Sequence, residues 1–200
     1  MVTTVIAIDD GSTDQTGEIL QNLSQKYPNI TVLGWKENRG KGFALLEGFQ
    51  HTVNHTDFNT LVTIDSDAQH DPEDIPALVQ AIQEGAHMAI ASRHFHLMPG
   101  RSKFGNTLIA KMLKWIYNKA PHDTQSGYRA FSKILVEKFL KTIPGGRYET
   151  EFKCLLLALK EDHPISSVPT KTIYIDNNKS SHFSPIKDSL MILKTLWYHR

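Results

Sequence analysis

The first hundred residues alternate short β-branched apolar runs with longer amphipathic stretches. These runs predict strands at Thr4–Ile8, Asn29–Trp35, Thr60–Ile64 and Met88–Ser92, with helices between them near Thr13–Lys26, Lys41–Val53 and Pro72–Glu84. Strands that alternate with helices of this length form βαβ units, whose strands lie parallel in one sheet. We therefore predict an α/β fold with a mostly parallel sheet flanked by helices.

The second half of the chain has mainly helical spacing. Helices are predicted at Ser102–Lys119, Lys133–Lys141, Thr150–Glu161 and Ser184–Tyr198, with an extended stretch at Ile165–Ile175. In the first half, Ser12 with Gln15 predicts a capping box, and Asp71 before Pro72 predicts a cap ahead of a first-turn proline. No repeat or linker interrupts the 200 residues, so we predict a single domain, 1–200.

Charge is divided unevenly along the chain. Residues 1–100 carry 5 basic and 13 acidic side chains, a net of −8, whereas residues 101–200 carry 17 and 8, a net of +9. An acidic half suits a metal ion and a basic half suits phosphates or an anionic membrane, although most of these charges fit a solvated surface equally well. With a single cysteine, no signal-peptide pattern and no apolar run long enough to span a bilayer, the chain is expected to be cytoplasmic.

Acidic residues cluster where the predicted strands end. Asp9–Asp14 follows the first strand and Asp65–Asp71 follows the third, and ligands of parallel α/β sheets sit beyond such ends. Asp65 and Asp67 can turn toward one ion, and Gln69 adds an amide oxygen, so Mg²⁺ or Mn²⁺ is the expected metal. The alternative, that this loop only caps the next helix, explains Asp71 but leaves the first two carboxylates without a role.

Four motifs follow one another in order. They are Asp9-Asp10-Gly11-Ser12-Thr13-Asp14, Asn38-Arg39-Gly40-Lys41-Gly42, the run Asp65–Asp74, and Ser126-Gly127-Tyr128-Arg129. Together they resemble the inverting family 2 glycosyltransferases, in particular the branch of dolichyl- or polyprenyl-phosphate mannosyltransferases, from about Val5 to Leu196. The resemblance implies a glycosyltransferase A-type, Rossmann-like fold with a helical C-terminal part. Residues 1–100 would bind the nucleotide sugar and metal, and 101–200 would form the acceptor side.

The resemblance also implies roles for individual residues. The nucleotide-sugar ligands would be Ile8, Asp10, Asp65, Ser66, Asp67, Arg93 and His182. The metal ligands would be Asp65, Asp67 and Gln69; the acceptor side would comprise Ser126, Gly127 and Arg129; and Asp67, Asp123 and Arg129 would act in catalysis. A guanidinium such as that of Arg129 can hold the phosphate of an acceptor in place.

The implied activity is metal-dependent, inverting transfer of a hexose from a nucleotide diphosphate sugar to a polyprenyl phosphate such as dolichyl or undecaprenyl phosphate. An anionic phosphate oxygen needs no strong base to attack the anomeric carbon. A second interpretation has a glycan hydroxyl as acceptor, with Asp123 or Glu151 as general base. A third is a truncated, catalytically silent nucleotide-binding or scaffold protein.

Relatives carry one more strand before the Asp9-Asp10-Gly11-Ser12 strand, and the resemblance implies that this chain lacks it. We therefore expect weak nucleotide binding, slow turnover and an exposed sheet edge that favours dimers. The basic amphipathic stretch Ser184–Tyr198 predicts either peripheral contact with the cytoplasmic face of the cell envelope membrane or packing on the core. A membrane protein and a second copy of the chain remain open as partners, and nucleic acid is not expected.

Overall fold

The structure, a computed structural model, describes residues 2–92, 100–121 and 123–171, with backbone alone for 100–105. The strands are β1 (Val5–Asp10), β2 (Ile30–Trp35), β3 (Thr60–Thr63), β4 (Met88–Ser92), β5 (Arg129–Ser132) and β6 (Ile165–Pro169). The helices are α1 (Thr16–Lys26), α2 (Lys41–His55), α3 (Ile75–Gln83), α4 (Gly100–Tyr117), α5 (Lys133–Thr142) and α6 (Glu149–Lys160), and a 3₁₀ turn covers Pro72–Asp74. The α/β prediction is confirmed.

These strands form two sheets. β1 and β2 pair in parallel, with Val5 opposite Ile30 and Asp10 opposite Trp35. The second sheet has the order β3-β5-β4-β6, in which β4 and β6 are parallel and β5 runs antiparallel to both of its neighbours. The four strands predicted in the first half are all present, with ends within two residues of the predicted ones. The antiparallel strand β5 was not predicted, because Arg129–Ser132 contains none of the β-branched residues that mark the equally short β3.

Helices cover both faces of the four-stranded sheet. On one face α2, α5 and α6 pack over a core that includes the rings of Phe49, Phe131 and Phe139, whose centroids lie 5.5–6.2 Å apart. On the other face α3 packs over a smaller cluster around Leu78 and Tyr128. The sheet therefore lies between two helical layers, as expected for an α/β domain.

Helix α2 joins the two sheets, because it contacts β1 as well as α5 and α6. Among the described residues, β1 pairs only with β2 and β3 pairs only with β5, so each keeps one edge without a strand partner. The apolar residues of both strands are half-exposed, whereas Met88–Ala91 of β4 are buried. The open edges therefore lie beside the least covered part of the sheet.

Of the two helix caps predicted from the sequence, the structure contains one. The capping box of Ser12 with Gln15 is wrong, because α1 begins at Thr16, whose N–H donates to Asp14 Oδ1 at 2.9 Å. The cap at Asp71 is confirmed: its carboxylate accepts the Glu73 N–H at 3.0 Å at the start of the 3₁₀ turn. The predicted helix Ser184–Tyr198 lies outside the described residues. Within the described ranges, no helix is long and apolar enough to cross a bilayer.

Candidate active site

The motifs meet at one edge of the fold. The C-terminal ends of β1 and β3 lie at this edge, and the antiparallel β5 begins there. Side chains join the parts: Asp10 Oδ2 accepts the Gly40 N–H at 2.9 Å, and Lys41 Nζ lies 2.8 Å from Asp65 Oδ1. The carbonyl oxygen of Gly127 accepts a hydrogen bond from Thr63 at 2.9 Å. The hydroxyl of Tyr128, in the last motif, donates to the Asp71 carbonyl oxygen at 2.9 Å, so all four motifs are brought into contact.

Asp10 organises the turn that leads into α2. Its Oδ1 accepts from Trp35 Nε1 at 2.7 Å and from the Arg39 N–H at 2.8 Å, and its main-chain oxygen accepts from Asn38 Nδ2 at 3.0 Å. Gly40, which has a φ of 106°, closes this turn in a conformation that favours glycine. The carboxylate of Asp10 therefore positions the start of α2, and its expected contact with a nucleoside stays a prediction.

Lys41 links two carboxylates at the centre of the site. Its ammonium lies 2.8 Å from Asp65 Oδ1 and 3.1 Å from Glu151 Oε2. Burial lowers the pKa of Lys41, but the negative charges of Glu151 and Asp65 outweigh this effect and raise the pKa above its usual value. Lys41 is therefore a fixed cation at any physiological pH. Sequence analysis missed it, because no role was assigned to any residue of the Asn38–Gly42 motif.

Gly127 makes room for this ion cluster. A Cβ at this position would lie 2.7 Å from Asp65 Oδ2, 2.9 Å from Lys41 Nζ and 3.1 Å from Glu151 Oε1. The resemblance assigns Gly127 to the acceptor side, and the structure places it directly against the Asp65 carboxylate. We call Lys41, Asp65 and Glu151 the Lys41 cluster. Any side chain at position 127 would displace it.

The loop after β3 presents the two carboxylates predicted to bind a metal. It turns sharply at Ala68, which has a φ of 59°, and Asp67 Oδ1 accepts the Gln69 N–H at 3.1 Å. Asp65 is half-exposed, and Ser66 and Asp67 are exposed. In the part of the chain that the structure describes, no three His, Cys, Asp or Glu side chains gather into a metal-binding group. Two carboxylates suit Mg²⁺ or Mn²⁺ when substrate phosphates and water supply the other oxygens.

Arg129 is buried and bonded to the main chain. Its side chain is only 2% exposed, and its guanidinium donates to three carbonyl oxygens, those of Ser126 at 2.7 Å, Glu151 at 2.7 Å and Thr124 at 3.2 Å. These bonds use all three nitrogens, so the side chain ties the 124–126 segment to α6. The guanidinium is turned inward toward the main chain, and its expected contact with an acceptor phosphate stays a prediction.

Asp123 is buried beside the same 124–126 segment. Its Oδ1 accepts from Asn106 Nδ2 at 3.3 Å and from the Gln125 N–H at 3.1 Å, and its side chain is buried. Asn106 Oδ1 in turn accepts from the Thr124 N–H at 2.9 Å. Ser126, also buried, accepts the N–H two residues further on through its Oγ at 3.3 Å. Hydrogen bonds from Asn106 of α4 therefore hold the predicted acceptor-side segment in place.

The other predicted ligands fall into two groups. Ile8 lies in β1, and its Cδ1 is 2.8 Å from the position that a Cβ on Gly48 would take, so Ile8 packs against α2. Arg93 and His182 lie outside the described residues. The roles of Ile8, Ser66 and the Gln69 side chain stay predictions.

Tyr128 is a further residue that sequence analysis missed. Its hydroxyl donates to the Asp71 carbonyl oxygen at 2.9 Å, and its ring is buried 5.0 Å from that of His70. Burial raises the pKa of Tyr128 to about 12, and the negative charges of Asp74 and Asp71 add to the effect. The side chain thus fastens the end of the acidic loop to the start of β5. Its position within the Ser126–Arg129 motif could have indicated a role at this site.

Comparison with known proteins gives the family. The sequence profile described as "Glycosyl transferase family 2" matches residues 2–140. The chain belongs to glycosyltransferase family 2. It is therefore a glycosyltransferase, and the expected branch is also confirmed by the names of its relatives.

Two relatives of this family 2 member are named for dolichyl phosphate and for polyprenol monophosphomannose. The UDP-N-acetylglucosamine–dolichyl-phosphate N-acetylglucosaminyltransferase of Methanococcus voltae is 30% identical over 190 residues, which are 86% of this chain and 75% of the relative. The polyprenol monophosphomannose synthase of Mycolicibacterium smegmatis is 28% identical over 179 residues, 82% of this chain and 64% of the relative. An uncharacterised protein of Methanocaldococcus jannaschii is 30% identical over 198 residues, 96% of this chain and 79% of the relative.

Solved structures support the fold of this family 2 chain. Glucosyl-3-phosphoglycerate synthase from Mycobacterium tuberculosis, crystallised with Mn²⁺, UDP and glucosyl-3-phosphoglycerate, superposes with a TM-score of 0.69 at 21% identity. The match covers 99% of this chain and 69% of that one. At this identity the likeness shows the fold alone, and it confirms the glycosyltransferase A-type architecture.

Proposed function

We propose that this glycosyltransferase moves a hexose from a nucleotide diphosphate sugar to a polyprenyl phosphate, with inversion at the anomeric carbon and with Mg²⁺ or Mn²⁺ bound. The observation that carries the proposal is the turn at Ala68, which leaves Asp65 and Asp67 accessible beside the Lys41 ammonium. The dolichyl-phosphate and polyprenol acceptors in the names of the two relatives support a lipid phosphate.

On the donor side, Asp65 and Asp67 would hold the metal. When bound, such an ion supplies positive charge that stabilises the departing nucleotide diphosphate. The Mn²⁺ and UDP in the crystal of glucosyl-3-phosphoglycerate synthase support this pairing of metal and nucleotide in the fold. Lys41 adds a second positive charge at the inner end of the same loop, 2.8 Å from Asp65.

On the acceptor side, a phosphate oxygen would form the new bond to the anomeric carbon while the bond to the nucleotide oxygen breaks. The diphosphate leaves with the bonding electron pair, and the configuration inverts. Because the phosphate is already anionic, no proton has to be removed.

The positions of the two candidate bases favour a phosphate over a glycan hydroxyl, which would need a general base. The Asp123 carboxylate is buried and accepts two hydrogen bonds, and that of Glu151 is paired with Lys41 at 3.1 Å. Neither carboxylate is therefore poised to take a proton from an alcohol. Arg129 would act indirectly, because it positions the segment that carries Ser126 and Gly127.

A product assay tests the proposal. UDP- and GDP-linked hexoses would be incubated with Mn²⁺ or Mg²⁺ and either a polyprenyl phosphate or a soluble glycan, and the products followed by mass spectrometry. We expect a glycosylated lipid phosphate that disappears with EDTA and with Asp67→Asn. The matched control is Asp57→Asn, since Asp57 is an exposed acid whose carboxylate lies 3.3 Å from Lys133.

Two results would contradict the proposal. Transfer to the soluble glycan alone would favour the hydroxyl-acceptor interpretation. Binding of a nucleotide without turnover of any donor would favour a silent binding protein.

A further inference from the structure

The Lys41 ammonium already neutralises one of the two carboxylates of the proposed metal site. Both oxygens of Asp65 face it, at 2.8 Å for Oδ1 and 2.9 Å for Oδ2. A carboxylate that faces an ammonium with both oxygens offers its lone pairs to that ammonium. A divalent ion that approaches Asp65 must therefore share these oxygens with Lys41 or displace it.

The lysine is held in this position from several sides. Glu151 Oε2 lies 3.1 Å from the same ammonium, and Gly127 leaves the space that the ammonium fills. The main chain at the start of α2 is fixed by the hydrogen bond from Gly40 to Asp10. The side chain is only 29% exposed, whereas exposed lysines usually sample many conformations.

The second carboxylate of the proposed metal site lacks such a partner. Within the described residues no ion pair reaches Asp67, whose Oδ1 accepts only the Gln69 N–H. A metal ion alone would thus find one open carboxylate and one that is already paired with a cation. Two positive centres around Asp65 would also repel each other, and this repulsion is relieved when phosphates of opposite charge arrive.

We propose that Lys41 is a built-in cation that competes with the divalent metal for Asp65, so that the metal binds firmly only together with a nucleoside diphosphate. The proposal rests on the proposed function, because it takes Asp65 as a metal ligand. On displacement the ammonium keeps Glu151 as a partner and gains the diphosphate as a second one. Metal and nucleotide binding are thereby coupled, and each strengthens the other.

Titration with Mn²⁺ alone tests the competition, with free Mn²⁺ followed by electron paramagnetic resonance. Wild type and Lys41→Met would be compared in the full chain. Removing the ammonium is expected to tighten binding of Mn²⁺ alone about tenfold, since a hydrogen bond between charged groups has roughly that effect. The increase in Mn²⁺ affinity that UDP or GDP gives should shrink correspondingly. The control Lys36→Met removes an exposed positive charge just after β2 and should change neither quantity more than about twofold.

A second comparison controls for misfolding, because Lys41→Met leaves the Glu151 carboxylate without its cation. Lys41→Met with Glu151→Gln removes both members of that pair and would be compared with Glu151→Gln alone. The same gain in Mn²⁺ affinity is expected. Unchanged affinity in both comparisons would overturn the competition. If the wild type binds no Mn²⁺ even with a nucleoside diphosphate, the proposed metal site fails, and this inference fails with it.

Discussion

At the scale of single residues, the buried Arg129 holds the predicted acceptor-side segment in shape. Arg129 satisfies the carbonyl oxygens of Thr124, Ser126 and Glu151, which come from two separate parts of the chain. A buried polar group that loses its partner costs more free energy than the bond itself contributes. Replacement of this side chain should therefore affect the fold before it affects any ligand.

For Arg129→Met we expect the free energy of unfolding to fall by about 2–4 kcal/mol, because three buried carbonyl oxygens lose their donor. Lysine should recover only part of this loss, since one ammonium cannot reproduce the planar arrangement. Urea unfolding followed by circular dichroism measures both, with exposed Lys141→Met as the control. A stable Arg129→Met protein that fails only in transfer to the lipid acceptor would contradict this structural role and favour the direct contact with the acceptor phosphate that the resemblance implies.

The hydroxyl of Tyr128 makes stability depend on pH. Burial, with the charges of Asp74 and Asp71, raises the folded-state pKa to about 12, above the value of about 10 in an unfolded chain. The folded state keeps the proton more strongly, so this contribution is complete below pH 10 and is lost as the pH rises toward 12. Between about pH 10 and 12, wild-type stability should fall more steeply than that of Tyr128→Phe. Parallel curves from urea unfolding would contradict the assignment.

The residue scale also shows what a motif can and cannot predict. The pattern after the third strand was enough to place Asp65 and Asp67 together in one loop, because strand ends and loops are local features, and their binding of a metal stays a prediction. The burial of Arg129 was not predictable, since Thr124 and Glu151 supply its acceptors and only the packed fold brings them together. Lys41 was missed for the same reason.

At the scale of elements, the site depends on close packing between the starts of helices and strands. A Cβ on Gly42 in the first turn of α2 would lie 2.0 Å from Thr150 Oγ1 and 2.6 Å from the Arg147 carbonyl oxygen at the start of α6. Gly127 plays the same part just before β5. These elements can approach one another only where side chains are absent.

Gly127→Ala tests this packing. The new methyl group would lie 2.7 Å from Asp65 Oδ2, so the Lys41 cluster must move, and we expect a loss of about 1–3 kcal/mol in stability together with weaker metal-supported nucleotide binding. Gly17→Ala in α1 is the matched control, because its methyl group would meet only Asp9 Oδ2, at 3.2 Å, and alanine favours a helix. Thermal unfolding and calorimetry would be run on both. Equal behaviour of the two variants would show that the cluster tolerates the extra atom.

The elements themselves were predicted unevenly. Strands β1 to β4 were found because apolar β-branched runs stand out between amphipathic helices. The short β5 escaped detection, and its antiparallel direction brings the Ser126–Arg129 motif to the same edge as the ends of β1 and β3. The order of strands in the sheet depends on long-range pairing, which a periodic pattern does not contain.

On the scale of the whole molecule, the described part of the chain consists of two sheets joined by α2, with unpaired edges on β1 and β3. Exposed edges of this kind favour association, and the expected dimer stays a prediction. The charge division along the chain agrees with the acidic loop that follows β3 in the first half. The motifs of the family meet at one edge of the described fold, and this edge is the proposed active site.

The central claim is that this edge binds a nucleoside diphosphate through a metal held by Asp65 and Asp67. Calorimetric titration with UDP and GDP, with and without Mn²⁺, tests it directly in wild type, Asp65→Asn and Asp67→Asn. We predict that Mn²⁺ strengthens nucleotide binding to the wild type by at least about tenfold and that either substitution abolishes this gain while the circular dichroism spectrum is unchanged. A gain from Mn²⁺ that survives in both variants would contradict the claim.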